Sequence, residues 1–132
     1  MTPEHYNNLC KKFKSTYKIP TILEKVFTLV YTLNEEVLVL ENEDGAFVFF
    51  HSQECCEHVY IADIVGDLSD LMNAPIKFYD ESSSKEGDST TWTFYKFGTQ
   101  KGWVDVRWCG TSNGYYSEKV NIFYIDKRNK ID

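Results

Sequence analysis

The stretch TTWTFYKFGTQKGWVDVRWCGTSNGYYSEKVNIFYI, from Thr90 to Ile125, decides the fold class of this chain. It contains three runs rich in aromatic and β-branched residues, which favour the pleated surface of a sheet. Gly98 to Gly102 and Asn113-Gly114 separate the runs and have the composition of turns. We therefore expect antiparallel strands at Thr90 to Phe97, Trp103 to Cys109 and Tyr115 to Ile125.

The middle run shows the alternation of a half-buried strand. Val104, Val106 and Trp108 alternate with a mixed set, which comprises Trp103, Asp105 and Arg107. Successive side chains of a strand point to opposite faces, so one face is predicted to be apolar and the other mixed.

Upstream runs predict further strands, giving about six in meanders and hairpins. A strand is expected at Ile22 to Leu33, and another at Ile76 to Tyr79. Glu36 to Glu41 and Ala46 to His51 form a predicted hairpin around Asn42-Glu43-Asp44-Gly45, in which Gly45 is expected to adopt a positive φ.

Helical signals are also present, so the predicted class is α+β. Thr2 to Tyr17 predicts an amphipathic N-terminal helix with Pro3 at its first position. Glu54 to Val65 fits a helix or a strand, and Asp67 is predicted to cap a short helix through Met72. Asp80 to Ser89 is polar and charged, and a mobile loop is expected there.

The length of 132 residues predicts one domain, residues 1–132. We divide it into an N-terminal helix (1–20), a β-rich core (22–125) and a polar tail (126–132). The first twenty residues lack a secretory signal, and no run reaches the ~20 apolar residues that cross a bilayer. We therefore expect a cytoplasmic protein whose four cysteines are reduced.

The net charge of −6 is concentrated in the middle of the chain, because Glu35 to Asp88 carries fourteen acidic residues and two lysines. A negative surface repels nucleic acid and attracts basic protein grooves. Five acids near the predicted hairpin are candidates for partner binding: Glu35, Glu36, Glu41, Glu43 and Asp44.

One cluster has residue types that bind metal or act as nucleophiles: His51, Cys55, Cys56, Glu57 and His58. Adjacent cysteines on a regular element point in different directions, and zinc ligands usually come in pairs two to four residues apart. No elbow motif or orienting acid indicates a Cys–His nucleophile. Neighbouring carboxylates fall in predicted turns and no glycine-rich phosphate loop occurs. We expect no metal, no cofactor and no catalysis.

A second candidate set has the composition of a binding hot spot or of a stacking site for a nucleotide: Trp103, Asp105, Arg107, Tyr115 and Tyr116. The alternative is that these aromatic residues pack beneath another element as core. An aromatic-rich sheet edge is also compatible with a homodimer.

Several stretches resemble a family of small uncharacterised phage and prophage proteins, grouped as a domain of unknown function. The resemblance covers about Ile22 to Ile125, and the stretches that carry it are ECCE (54–57), VYIADI (59–64), GDLSDL (66–71), PI (75–76), TWTFYKF (91–97), VRW (106–108) and SNGYYS (112–117). The resemblance implies a phage-type setting, in which small proteins without catalytic activity block host defence proteins.

Two functions are therefore expected. The first is a phage or prophage protein that inhibits a host defence protein in the bacterial cytoplasm, in the manner of anti-CRISPR proteins, by meeting a basic nucleic-acid-binding surface with acidic residues. The protein itself would contact neither nucleic acid nor membrane. The alternative is a binding protein, or sponge, for a nucleotide signal.

Overall fold

The computed structural model describes residues 19–114 and 116–127, which fold into two four-stranded antiparallel sheets. The strands are β1 (Leu29–Leu33), β2 (Val37–Glu41), β3 (Gly45–Phe50), β4 (His58–Val65), β5 (Phe78–Glu86), β6 (Thr90–Thr99), β7 (Gly102–Thr111) and β8 (Asn121–Asp126). Sheet 1 has the order β1-β2-β3-β8, and sheet 2 has the order β4-β7-β6-β5.

The α+β prediction is wrong for the described residues, which are nearly all β. Their single helical element is one 3-10 turn at Leu68–Leu71, capped by the Asp67 side chain, which accepts a hydrogen bond from the Ser69 amide. The segment that fitted either a helix or a strand forms β4, because β7 offers it a long antiparallel partner. The predicted N-terminal helix lies outside the described residues.

The predicted mobile loop at Asp80 to Ser89 is wrong, since most of it belongs to β5. All nine residues of β5 pair with β6, from Phe78 opposite Gly98 to Glu86 opposite Thr90. β5 is an edge strand, so serines and charged side chains remain hydrated while the backbone hydrogen bonds form. Strand pairing uses the backbone N–H and C=O groups, and residues with polar side chains carry these groups like any other residue.

The core lies between the two sheets. Sheet 1 contributes one set of alternate side chains, including Leu38 and Phe49, and sheet 2 contributes Phe97, Val106 and Trp108. The other set of sheet 1 forms a second buried cluster on its opposite face: Val37, Val39, Ala46, Val48 and Phe50. Both faces of sheet 1 are therefore apolar.

The β2–β3 hairpin forms at the predicted place, but Gly45 acts differently from the prediction. It has no positive φ. A side chain there would collide with the backbone of Ile125, 2.5 Å from the position of its Cβ, and with Tyr124. Asn42 makes the turn instead, because its side-chain oxygen accepts the amides of Asp44 and Gly45 at 2.9 and 3.1 Å.

Candidate functional site

His51 is a buried residue that joins three parts of the chain just after β3. Its Nδ1 lies 2.6 Å from the Lys119 carbonyl oxygen, ahead of β8. Its Nε2 lies 2.8 Å from Glu57 Oε2, next to the start of β4. A carbonyl and a carboxylate are both hydrogen-bond acceptors, so each ring nitrogen of His51 faces an acceptor and the ring is fixed from both sides.

Glu57 is the carboxylate that faces His51 Nε2, and its side chain is fully buried. Burial raises the pKa of Glu57, but hydrogen bonds from His51 and from nearby backbone amides outweigh it and lower the pKa to about 2. The amides of Glu54 and Cys55 donate at 3.1 and 2.8 Å. The pair therefore fixes the loop between the two sheets.

The other members of this cluster do not converge on His51. Cys55 and Cys56 are exposed and are joined in a disulfide, which differs from the reduced state expected from sequence. His58 is exposed and its ring stacks on Tyr60, with centroids 4.6 Å apart. Within the described ranges, no three His, Cys, Asp or Glu residues are placed to hold a metal ion.

The five acids of the predicted partner site form two groups at opposite ends of β2. Glu35 and Glu36 lie in the β1–β2 turn, where the Glu35 carbonyl accepts the Ile61 amide of β4. Glu43 and Asp44 lie in the β2–β3 turn beside Glu41, which pairs with Lys127 at 2.7 Å. The five residues of β2 span roughly 17 Å, so the acids cannot act as one cluster.

The outer face of sheet 2, which points away from sheet 1, carries most of the second candidate set. Strand register places its side chains in four cross-strand rows. The rows are Phe78–Gly98–Trp103, Asp80–Lys96–Asp105–Val65, Ser82–Phe94–Arg107–Asp63 and Ser84–Trp92–Cys109–Tyr60. We name this surface the aromatic face, after Phe78, Trp92, Phe94 and Trp103.

Trp103 is the most exposed of these aromatic rings, at 54%. It lies across Gly98, where a side chain would be 2.8 Å from the indole ring. Phe78 packs edge-on against it, with centroids 5.0 Å apart, and Lys96 Nζ lies 5.3 Å from the centroid. Because Gly98 leaves space on the sheet, the indole packs flat and presents a broad apolar surface to solvent.

Arg107 occupies the centre of the aromatic face. Its guanidinium lies 5.1 Å from the Trp92 ring centroid and 3.7 Å from Asp63 Oδ2. The Trp92 indole N–H donates to Glu86 at 2.7 Å. These cross-strand contacts orient the aromatic and charged side chains before any partner binds.

The structure brings together only part of the predicted ligand set. Trp103, Asp105 and Arg107 share the aromatic face, whereas Tyr116 lines a cavity against the inner face of sheet 2. Tyr115 lies outside the described residues. The sequence reading missed Phe78, Trp92, Phe94 and Lys96, although the alternation seen in β7 also runs through Trp92, Phe94 and Lys96.

Comparison with known proteins identifies the family to which this chain belongs. Residues 13–122 match DUF7448, described as a domain of unknown function. The chain belongs to the DUF7448 family. The predicted membership of an uncharacterised family is thus confirmed. The chain matches no curated protein and no solved structure. No helix in the described parts of this DUF7448 chain has the length and apolarity to span a bilayer.

Proposed function

We propose that this DUF7448 chain is a phage or prophage protein that inhibits a bacterial host defence protein by binding it, without catalysis and without a cofactor. The binding takes place in the host cytoplasm and covers a basic surface that otherwise binds nucleic acid, in the manner of anti-CRISPR proteins. The observation that carries the proposal is the aromatic face.

The aromatic face has the composition of a protein-binding hot spot. Phe78, Phe94 and Trp103 are 40%, 38% and 54% exposed, whereas large apolar side chains are usually buried in a core. Tryptophan and arginine contribute the largest binding energies in interfaces, and here Trp103 and Arg107 lie four residues apart on one face of the same strand. Contiguous exposed apolar side chains usually mark interaction sites, so the exposure of these rings supports the binding of a macromolecule.

The charges of this face favour a basic partner. Asp63, Asp80, Glu86 and Asp105 contribute four carboxylates against two cations, Lys96 and Arg107. An arginine of a partner can lie over Trp103 while Asp80 and Asp105 pair with its charge, and guanidinium groups favour such stacked, paired sites. The acidic turns at either end of β2 would then make separate, peripheral contacts.

Phage plating on a host with an active defence system tests the proposal. Expression of the wild-type chain should raise plating efficiency, and the double variant Phe94→Ala/Trp103→Ala should abolish this effect. Leu29→Ala is the matched control, because Leu29 is 45% exposed on sheet 1 and should be dispensable. A double variant that folds and still protects phage as the wild type does would refute the proposal.

Charge reversal separates the acidic turns from the aromatic face. Glu35→Lys/Glu36→Lys and Glu43→Lys/Asp44→Lys are paired variants of the two ends of β2. Each should reduce the association rate with a basic target in a salt-dependent way, while Phe94→Ala/Trp103→Ala should mainly raise the dissociation rate. Binding that only the turn variants abolish would move the interface to sheet 1.

A second candidate function, a nucleotide-signal binder, is supported by the stacked Arg107 and Trp92. A base would insert beside Trp103, with its phosphate on Arg107 or Lys96. Because a bound ligand stabilises the native state, nucleotides at millimolar concentration should raise the melting temperature if this function holds. Arg107→Ala should remove that rise, and an unchanged melting temperature across the panel would exclude it.

A further inference from the structure

A polar cavity of about 530 Å³ lies on the side of sheet 2 opposite the aromatic face. Its floor is the β5–β6 ladder, and its wall is formed by Gly114 and by residues 116–120, which lead into β8. The volume is within the range of small-molecule sites in proteins, roughly 300–1,000 Å³. The cavity is separate from the surface assigned to the partner.

The floor is polar where the core would otherwise continue. At the start of β5, Tyr79 pairs with Phe97, and both side chains pack into the core. The next three inward-facing pairs are Glu81 with Tyr95, Ser83 with Thr93, and Lys85 with Thr91. Each pair presents hydrogen-bonding groups on a face that a sandwich normally fills with apolar side chains.

Two residues of this floor are largely buried, but their hydroxyl groups reach the cavity and bond to no described residue. Thr93 is 7% exposed and Tyr95 is 2% exposed. Neither hydroxyl makes a hydrogen bond to any residue in ranges 19–114 and 116–127. Both hydroxyls therefore open onto the cavity, where a bound molecule can exchange hydrogen bonds with them.

The opposite wall holds a buried carboxylate. Glu118 is 8% exposed, and it accepts hydrogen bonds from the hydroxyls of Thr91, at 2.7 Å, and Ser112. Burial raises the pKa of Glu118, but these hydroxyls outweigh it and lower the pKa, so the carboxylate is charged. A carboxylate has about four acceptor positions, which leaves two for a ligand.

We propose that this cavity binds a small uncharged ligand that carries neighbouring hydroxyl groups, the chemistry shared by monosaccharides and ribonucleosides. Glu118 accepts two adjacent hydroxyls, while Thr93 and Tyr95 exchange hydrogen bonds with the others. Glu81 and Glu118 are balanced by Lys85 and Lys119 around the cavity. A phosphate would add uncompensated negative charge beside the two carboxylates, so an uncharged ligand fits better than a nucleotide.

Calorimetric titration of the full chain tests this site. The panel contains glucose, galactose, adenosine and uridine, with 2′-deoxyadenosine, 2′-deoxyuridine and adenosine monophosphate as comparisons. We expect at least one monosaccharide or ribonucleoside to bind. Binding by monosaccharides alone assigns a sugar, and binding by ribonucleosides but not by their deoxy forms assigns a ribose. No binding by any member at millimolar concentration overturns the proposal, as does equal binding of ribo and deoxy forms without any sugar.

Near-isosteric variants locate the binding. Thr93→Val and Tyr95→Phe each remove one hydroxyl and should weaken binding about tenfold, the effect of one lost hydrogen bond. Thr32→Val, in β1 of sheet 1, is the matched control and should bind as the wild type does. Phe94→Ala/Trp103→Ala should also bind normally, so this proposal can fail or hold independently of the proposed inhibition. Unchanged affinity in both Thr93→Val and Tyr95→Phe places the ligand elsewhere and overturns the site.

Discussion

The two sheets of this protein differ in their outer faces. In sheet 1, β2 and β3 are buried on both sides, so Val39 and Val48 are as inaccessible as Leu38 and Phe49. In sheet 2, the inner faces of β6 and β7 are largely buried, while the outer face leaves Trp103 and Phe94 in solvent. Strands buried on both faces have nearly continuous apolar sequences, and strands with one open face alternate.

This difference indicates which sheet is available for binding. Apolar side chains on both faces of sheet 1 are already used for stability, because burial removes them from water. Trp103 and Phe94 contribute far less to folding, because much of their surface stays hydrated. Removing them should therefore change binding more than stability, whereas the reverse should hold in sheet 1.

The largest expected effect compares a core phenylalanine with a phenylalanine of the aromatic face. Phe49 is fully buried and packs edge-on against Tyr95 and Phe97, with centroids 4.9 and 5.9 Å apart. Phe49→Ala should lower the free energy of unfolding by about 3–5 kcal/mol. Phe94→Ala should lower it by less than about 1 kcal/mol, as expected of an exposed site. Urea denaturation of both variants measures the difference, and similar losses would contradict the comparison.

The second effect concerns the ion pair that joins the sheets. The pKa of Glu57 is about 2 in the folded chain against 4.5 for an ordinary glutamate, so the folded state holds fewer protons between these values. The stability that Glu57 contributes is complete above about pH 4.5 and is lost as the pH falls towards 2. We expect a loss on the order of 2 kcal/mol, which is the part of this pKa difference that remains after screening by water near the protein surface.

Urea midpoints measured from neutral pH down to strong acid test this dependence. Glu57→Gln should be less stable at neutral pH and should lose the part of the acid dependence that Glu57 causes. Glu118 also has a lowered pKa, so Glu118→Gln serves as the comparison that isolates the contribution of Glu57. An unchanged acid dependence in Glu57→Gln would show that the buried pair does not join the sheets energetically.

A third test compares equivalent residues on the two outer faces. Val39 is fully buried on the outer face of sheet 1, and Val65 is 60% exposed on that of sheet 2. Val39→Thr places a hydroxyl among apolar side chains and should cost about 1–3 kcal/mol. Val65→Thr should be within about 0.5 kcal/mol of wild type. Equal melting temperatures for the two variants would contradict the proposed difference in burial between the two outer faces.

The smallest expected effect lies at the β1–β2 turn. Three residues connect β1 and β2, and the first two, Asn34 and Glu35, have φ values of 50° and 57°, the left-handed conformation of a type I′ turn. Glutamate is strained in this conformation, so Glu35→Gly should raise the free energy of unfolding by up to about 1 kcal/mol. Glu36 has no positive φ, and Glu36→Gly should destabilise the chain slightly. If Glu35→Gly destabilises the chain as much as Glu36→Gly does, the carboxylate of Glu35 contributes more to stability than relief of its backbone strain.

Short-range patterns gave correct predictions where neighbouring strands are joined by tight turns. The strands around Gly98 to Gly102 lie close to their predicted positions, as does the hairpin around Asn42. The ambiguity at β4 and the loop predicted over most of β5 were resolved as strands by partners that the local sequence does not reveal. A polar edge strand such as β5 has the composition of a loop, and only its ladder to β6 distinguishes the two.

The candidate sites follow the same division. The sequence singled out Trp103, Asp105 and Arg107, and alternation along β7 puts them on one face. It could not show that Tyr116 lies on the other side of the sheet, nor that the five acids occupy opposite ends of β2. It also could not pair His51 with the carbonyl of Lys119, sixty-eight residues away.

The sequence by itself determined that this chain is rich in antiparallel β-sheet, that β7 has one apolar and one mixed face, and that the chain resembles a family of unknown function. Only the tertiary structure decided that one sheet is covered on both faces while the other leaves aromatic rings in solvent. The reason is that alternation depends on neighbouring residues, whereas burial depends on which distant strand packs against each face.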